Sequence, residues 1–426
     1  MNRVINLLAR NIHDITYDDV VEFCKQKVLE SVQLDYKLNV PKDLAKHFAT
    51  FSNTQGGLII IGIGEDAQGL PTTYDGVTND GKLVDRIHQF AANVTPLPTY
   101  DVCTTNEQNG KVFILVRIDE GAATPYTTLN DPTVWIRTGN VSTPASREEL
   151  LRLANKKRDA EAARSANIAF AEQYFLVRVK EAEQERQQAI QAGDAPIYRH
   201  TLGIGENSAI LSLTLQPYYP NRQLTIPQEL LRRIYEYCGQ EYQHTVFSTG
   251  QPDTLPGGIA GFVWHRDNGQ IIGEQLYANG VYNLMEDVLT TSQTGAKNIH
   301  VGGIGIDLYS RLKATQNYYK MTGYSGLIIG TINLTGGSGT EVVPMQAYSD
   351  RIWPSRHTGR VRLSSYNWSF EMNTITFYDD AALNQLFTKL IRDMSWGLGI
   401  PDVPQVVIDS VLKYHGWLAP TSVPVA

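Results

Sequence analysis

Asp35 and Lys37 stand two residues apart in the stretch Glu30-Ser31-Val32-Gln33-Leu34-Asp35-Tyr36-Lys37. In a strand, residues i and i+2 share a face. Val32, Leu34 and Tyr36 would then turn to a core while Asp35 and Lys37 stand together on the other side. A carboxylate on Mg²⁺ or Mn²⁺, with a lysine beside it to orient a water or offset charge on a phosphate, is an arrangement used by metal-dependent nucleases. A hard divalent cation takes more than one oxygen ligand. Glu30 lies just upstream, and Glu65 and Asp66 follow the apolar run Leu58–Gly64. Three carboxylates drawn from two neighbouring strands would make a metal site. The bland alternative is a solvent-facing ion pair on an edge strand.

The surrounding pattern supplies elements to hold these groups. Tyr17–Val28 reads as an amphipathic helix. Pro41 and Asp43 mark a helix start, with Leu44, Phe48 and Phe51 on one face and a stop at Gly56-Gly57. Leu58-Ile59-Ile60-Ile61 is a β-branched run with the character of a strand buried on both faces. A helix is expected over Lys82–Ala92. A hairpin is expected from Tyr100–Cys103 and Val112–Ile118 around Asn109-Gly110, and a short strand at Trp135–Arg137. Ser146 and Glu149 have capping-box spacing and open a helix of charged composition running to about Gln191. Beyond residue 195 a second α/β region is expected. Its strands are Ala209–Leu215, Gly261–Trp264, Ile271–Leu276, Gly326–Ile332, Val361–Leu363 and Thr374–Tyr378. Its helices are Pro227–Tyr237, Val281–Leu289 and Ala381–Met394.

Other chemistries find less support. Gly62 and Gly64 do not open a helix after a strand, as a dinucleotide loop requires, and no GxxxxGK[ST] or GxSxG occurs. His13, His47, His88 and His200 read as isolated. The group His265-Arg266-Asp267 before Asn268-Gly269 reads as a charged turn. Tyr218-Tyr219, Tyr318-Tyr319 and Trp353 read as core or interface before ligand pocket.

The chain has 426 residues, 42% hydrophobic and 19% charged, with a formal net charge of −7. That is too long for one core, so two or three domains are expected. The acidic balance argues against coating nucleic acid by bulk attraction. Cys24, Cys103 and Cys238 are scattered and match no zinc spacing, so reduced thiols are expected. No signal peptide and no run of about 20 apolar residues is present, which leads to a cytoplasmic protein with no membrane contact.

Taken together, Glu30-Ser31, Leu34-Asp35-Tyr36-Lys37, Phe48–Gly57, Ile60–Ile63, Glu65-Asp66, Val134–Asn140 and Ala145–Leu150 resemble the Schlafen AlbA_2 domain. The family reads Glu, then Leu-Glu-Phe-Lys, then a helix ending Ala-Asn-Thr-Gly-Gly, then an apolar strand and an acidic pair. The resemblance covers about the first 150 residues. It implies a Schlafen-like AlbA_2 domain at 1–150; the pattern along the rest of the chain adds a helical connector at 151–193 and a C-terminal α/β domain at 194–426, read as sensor or regulator, for a mixed α/β (α+β) fold in three parts.

The resemblance also implies a function. Vertebrate relatives are similar to divalent-metal endoribonucleases that cut tRNA and rRNA; bacterial members are described as DNA-binding or ATP-binding regulators. Carried over, the metal ligands are Glu30, Asp35 and Asp66, and Lys37 joins them in the catalytic set. Asp35 departs from the family Glu by one methylene, and a one-residue slip would put Glu65 in the place of Asp66. The leading expectation is therefore an endoribonuclease using Mg²⁺ or Mn²⁺, with tRNA-like RNA favoured over DNA. A small-molecule or protein trigger would act at the C-terminal domain, in a homo-oligomer, in the manner of antiviral defence. Alanine at Glu30 or Asp35 should then abolish cutting and leave the fold intact. The alternatives are a DNA-binding transcriptional regulator, a nucleotide-binding sensor, or an assembly protein in which the long helix pairs protomers.

Overall fold

A computed structural model describes residues 7–193, 208–220, 222–264, 270–291, 297–344 and 358–414. His200, the His265–Gly269 turn and Trp353 lie outside the described residues.

The N-terminal part is built on a four-stranded sheet in the order Leu34–Lys37, Gly57–Ile61, Ile114–Ile118, Tyr100–Thr104. Leu34–Lys37 runs parallel to Gly57–Ile61, with Asp35 opposite Ile59 and Lys37 opposite Ile61. The remaining pairs are antiparallel. Both faces are covered, which explains the unbroken apolar run in Gly57–Ile61. On one face Leu34, Tyr36, Leu58 and Ile60 pack against Val20, Phe23 and Cys24 of helix Tyr17–Lys25. On the other, Ile59 and Ile61 pack against Phe48 and Phe51 of helix Leu44–Asn53 and Ile87 of helix Leu83–Ala91. The hairpin turn falls at Asn109 and Gly110, both at positive φ. At Gly57 (φ +152°) a Cβ would stand 2.3 Å from the Gln33 carbonyl oxygen, so only glycine lets the second strand start so close to the first.

Helix Arg147–Gln191 follows, with Ser146 and Glu149 making the reciprocal cap. It is not solvated all round. Leu153, Ala160, Ala171, Phe175, Val179 and Ala182 form a buried stripe in steps of three, four, seven or eleven residues. Phe175, Val179 and Ala182 close over Ile210 and Ile271 of the second sheet. Phe170 and Val177 face outward.

That second sheet has seven antiparallel strands in the order Asp253–Leu255, Gly258–Trp264, Ile271–Tyr277, Tyr282–Asp287, Ala209–Pro217, Leu327–Gly336, Ser365–Asn373. Helices Pro227–Cys238, Val301–Thr322, Asp380–Gly397 and Gln405–Tyr414 contribute to the large core on its far face. Here the structure corrects the sequence reading. Val281–Leu289, expected as a helix, holds strand Tyr282–Asp287, whose alternate residues Tyr282, Leu284 and Glu286 are buried between two neighbours. Thr374–Tyr378, expected as a strand, is a helical turn at Thr374–Phe377, started by Asn373 accepting from the Thr376 N–H. Val361–Leu363 is in no strand; the edge strand begins at Ser365. Helix Val301–Thr322 was not anticipated, because it is buried around most of its circumference and so shows no amphipathic stripe.

The two sheets meet at a sealed polar seam. The Ser325 and Thr374 hydroxyls donate to Asp119 Oδ1 at 2.8 and 2.9 Å. Glu120 N donates to the Ser325 carbonyl, and the Tyr219 hydroxyl to the carbonyls of Gly121 and Ala122. Burial pushes the Asp119 carboxyl up to about 6 despite these bonds and the nearby Arg117 charge. Cys24, Cys103 and Cys238 are free thiols.

Candidate functional site: an acid cluster at the strand edge

Asp35 extends from the first strand toward helix Leu44–Asn53, on the face opposite Leu34 and Tyr36. It is not a solvent-facing ion pair: only 1% of the residue is exposed. Three basic side chains surround it. Lys37 Nζ and Arg137 Nη2 each stand 3.0 Å from Oδ1, and His47 Nδ1 lies 3.2 Å from Oδ2. Arg137 comes from strand Trp135–Thr138 and also donates to the carbonyls of Ser31 and Leu34, so its fork fixes both the carboxylate and the turn before it. Burial alone would raise the Asp35 carboxyl. The His47 ring, the Arg137 and Lys37 charges and the Glu30 carboxyl together hold it well below the ordinary carboxylate range.

Glu30 turns back over this strand. Its Oε1 accepts from the Tyr36 N–H at 2.7 Å, which answers why an acid precedes the strand. Burial first, then hydrogen bonding to Glu65 and Asp35, pushes its carboxyl up to about 9. Lys37 Nζ sits among the three acids: 3.0 Å from Asp35, 3.9 Å from Glu30 and 3.8 Å from Glu65. One ammonium therefore faces three carboxyl groups. The cluster opens into a pocket of about 370 Å³, whose wall also carries Lys46, Asn140 and Ser142.

The structure separates the two acids that follow the second strand. Glu65 directs its carboxylate to Glu30 and Lys37. Asp66 lines the same pocket, but its Oδ1 accepts from the backbone N–H groups of Gln68 and Leu70, both at 2.9 Å. Asp66 thus organises the turn that brings Gly69 against Glu30. His47 and Arg137 belong to the cluster and were missed in the sequence. No local signal marks Arg137, 102 positions from Asp35. His47 had one, its place on the helix preceding the second strand. His88 bonds the Tyr100 hydroxyl and His13 pairs with Asp101, both away from the cluster.

Among the described residues, no group of three or more His, Cys, Asp or Glu side chains stands ready-arranged around a metal position. The donor chemistry still suits a hard cation. Oxygen ligands from Glu30, Asp35 and Glu65 are adjacent, and Asp35 Oδ2 is buried facing His47 Nδ1 at 3.2 Å. Lys37, one-fifth exposed, occupies the centre and has a path to solvent.

None of the curated proteins matches the chain. Residues 30–146 match the family model described as Schlafen, AlbA_2. The matched segment opens at Glu30 and closes at Ser146, the cap of the long helix, and so contains every member of the acid cluster. Residues 30–146 of this chain carry a Schlafen AlbA_2 domain.

Proposed function

We propose that the acid cluster is the centre of a divalent-metal-dependent nuclease acting on structured RNA of the tRNA kind. The observation that supports this most is the convergence of Glu30, Asp35 and Glu65 around Lys37 at the mouth of an open pocket. Glu30, Asp35 and Glu65 would hold Mg²⁺ or Mn²⁺, which when bound supplies an activated water and offsets charge on the phosphate. Arg137 keeps Asp35 ionised and fixes its rotamer. Lys37, displaced toward the pocket, carries its charge to the phosphate, and Lys46 adds a second cation at the rim. The C-terminal unit, joined through the Asp119 seam, would regulate access. A role in antiviral defence agrees with this organisation.

The test incubates the full chain with total tRNA and with plasmid DNA, in Mg²⁺, Mn²⁺ or EDTA, beside Glu65→Gln and Glu30→Gln. Metal-dependent RNA cutting that falls at least about 100-fold in both variants is the expected result. Undiminished cutting by both variants sinks the site. Absence of cutting under every condition moves the DNA-binding regulator and the nucleotide sensor ahead.

A further inference from the structure

A second cavity, of about 300 Å³, lies where the AlbA_2 domain, the long helix and the seven-stranded sheet meet. Its floor is Arg137, the residue whose other side holds Asp35. Its walls bring together parts of the chain that are far apart in sequence: Asn53 and Gln55 from the end of a helix, Arg152 and Lys156 from the first turns of the long helix, and Tyr219 and Arg222 just after a strand of the second sheet.

The charge of this cavity opposes that of the chain. Four basic side chains (Arg137, Arg152, Lys156, Arg222) face two acids (Glu120, Asp159), in a protein of formal net charge −7. Two of the four are committed: Arg137 to Asp35, and Lys156 to Glu120 at 2.5 Å and to the Tyr219 ring at 4.0 Å. Among the described residues, Arg152 and Arg222 make no ion pair. Arg222 Nη1 is buried with no hydrogen-bond partner. A buried guanidinium N–H without an acceptor is costly, on the order of 1–3 kcal/mol, and a planar fork suits a phosphate's oxygens. The rest of the lining includes apolar surface from Ile136 and Leu153 and the ring of Tyr219. The volume is at the small end of ligand pockets.

We propose that this cavity is a binding site for a small organic phosphate. Arg152 and Arg222 take the phosphate, and Ile136, Leu153 and Tyr219 cover the organic part. Because the walls come from all three parts of the chain, the ligand stabilises their docking, and it does so whether or not the acid cluster cuts RNA.

The test is calorimetric titration of the full chain, in phosphate-free buffer, with the four nucleoside monophosphates, ribose 5-phosphate, adenosine and inorganic phosphate. The result expected is binding of a nucleoside monophosphate or of ribose 5-phosphate at least tenfold tighter than inorganic phosphate, with adenosine silent. The two arms separate a nucleotide from a sugar phosphate. Arg222→Gln and Leu153→Trp, the second filling the cavity, each weaken binding at least tenfold, while Arg158→Gln, outside the cavity lining, leaves it unchanged. Thermal unfolding of each variant checks that it is folded. The proposal is overturned if no organic phosphate binds more tightly than inorganic phosphate, or if folded Arg222→Gln and Leu153→Trp bind as the natural chain does. Loss of nuclease activity plays no part in the readout, so failure here and failure of the nuclease reading are separate results.

Discussion

Arg137 Nη2 stands 3.0 Å from Asp35 Oδ1, with 1% and 2% of the two side chains exposed. The pair is made where a sheet strand and a two-stranded hairpin close on each other, and its guanidinium also satisfies the carbonyls of Ser31, in the turn before the strand, and of Leu34, the first strand residue. Removing it leaves a buried carboxylate and two carbonyls short of donors. Arg137→Met is expected to cost about 3–5 kcal/mol in urea unfolding. Arg137→Lys should restore little of this, because an ammonium cannot reproduce the planar fork. A loss under 1 kcal/mol for Arg137→Met would show that the pair is structurally idle.

The same geometry predicts a different outcome for Asp35→Ala from the one expected from the sequence. Alanine at Asp35 is expected to disturb the fold, since Arg137, Lys37 and His47 would then lose the carboxylate they share. Asp35→Ala should lower stability by at least about 2 kcal/mol in addition to its effect on cutting. Glu65, whose side chain is one-third exposed, is the cleaner probe. Glu65→Gln should leave the urea midpoint nearly unchanged.

Asp66 and Glu65 are expected to part company in function. Asp66→Ala removes two bonds to backbone N–H groups and should lower stability by about 1–2 kcal/mol, while retaining most metal-dependent activity. Glu65→Gln should do the reverse. Equal loss of cutting in both, with equal stability, would return Asp66 to the ligand set.

The Asp119 seam should make stability depend on pH. Its folded value of about 6 lies above the free value of 3.8. Between pH 4 and 6 the folded protein therefore holds more protons than the unfolded chain, and stability falls as pH rises through that window. The contribution is present in full below pH 4 and gone above pH 6. Its size is up to about 3 kcal/mol. Urea unfolding at pH 4.5 and 7.0 of the natural chain and of Asp119→Asn isolates it: the difference between the two proteins should change with pH in this direction. A pH-independent difference would place Asp119 in an ionised, fully compensated state.

Gly57 offers a backbone test. Its φ of +152° and the 2.3 Å gap to the Gln33 oxygen leave no room for a methyl group. Gly57→Ala should cost at least about 3 kcal/mol and shift the parallel pairing of Leu34–Lys37 with Gly57–Ile61. Thermal unfolding reads the first effect. A melting temperature unchanged within a degree would contradict it.

Much of the AlbA_2 domain was legible because its signals are local. Alternation in Leu34–Lys37, the unbroken run at Leu58–Ile61 and the positive-φ pair at Asn109-Gly110 each depend on a few adjacent residues. Alternation also placed Asp35 and Lys37 on one face, as found. What alternation cannot carry is the far side of that face: His47 and Arg137 arrive through tertiary packing, and the burial of Asp35 follows from them. The second sheet was harder for a related reason. Tyr282–Asp287 sits between two neighbours with Glu286 turned inward beside Arg311, so a charged residue occupies a core position and the period-two pattern is masked. Val301–Thr322 is buried nearly all round, and a helix without a polar face has no period to read.

The helix Arg147–Gln191 is about 68 Å long at 1.5 Å per residue. Its stripe meets Tyr218 and Tyr219 near Ala160, and Ile210 and Ile271 near Val179. Those two attachments lie on one broad stripe, Ala160 and Phe175 about 60° apart around the helix. Inserting a single residue between them turns everything downstream by about 100° and points the second attachment away from its sheet. Inserting seven misses by only about 20°. A heptad still lengthens the spine by about 10 Å, whereas Ile210 lies on, and Tyr218 directly after, the one strand Ala209–Pro217, so that strand sets the span between Ala160 and Phe175 in length as well as in phase.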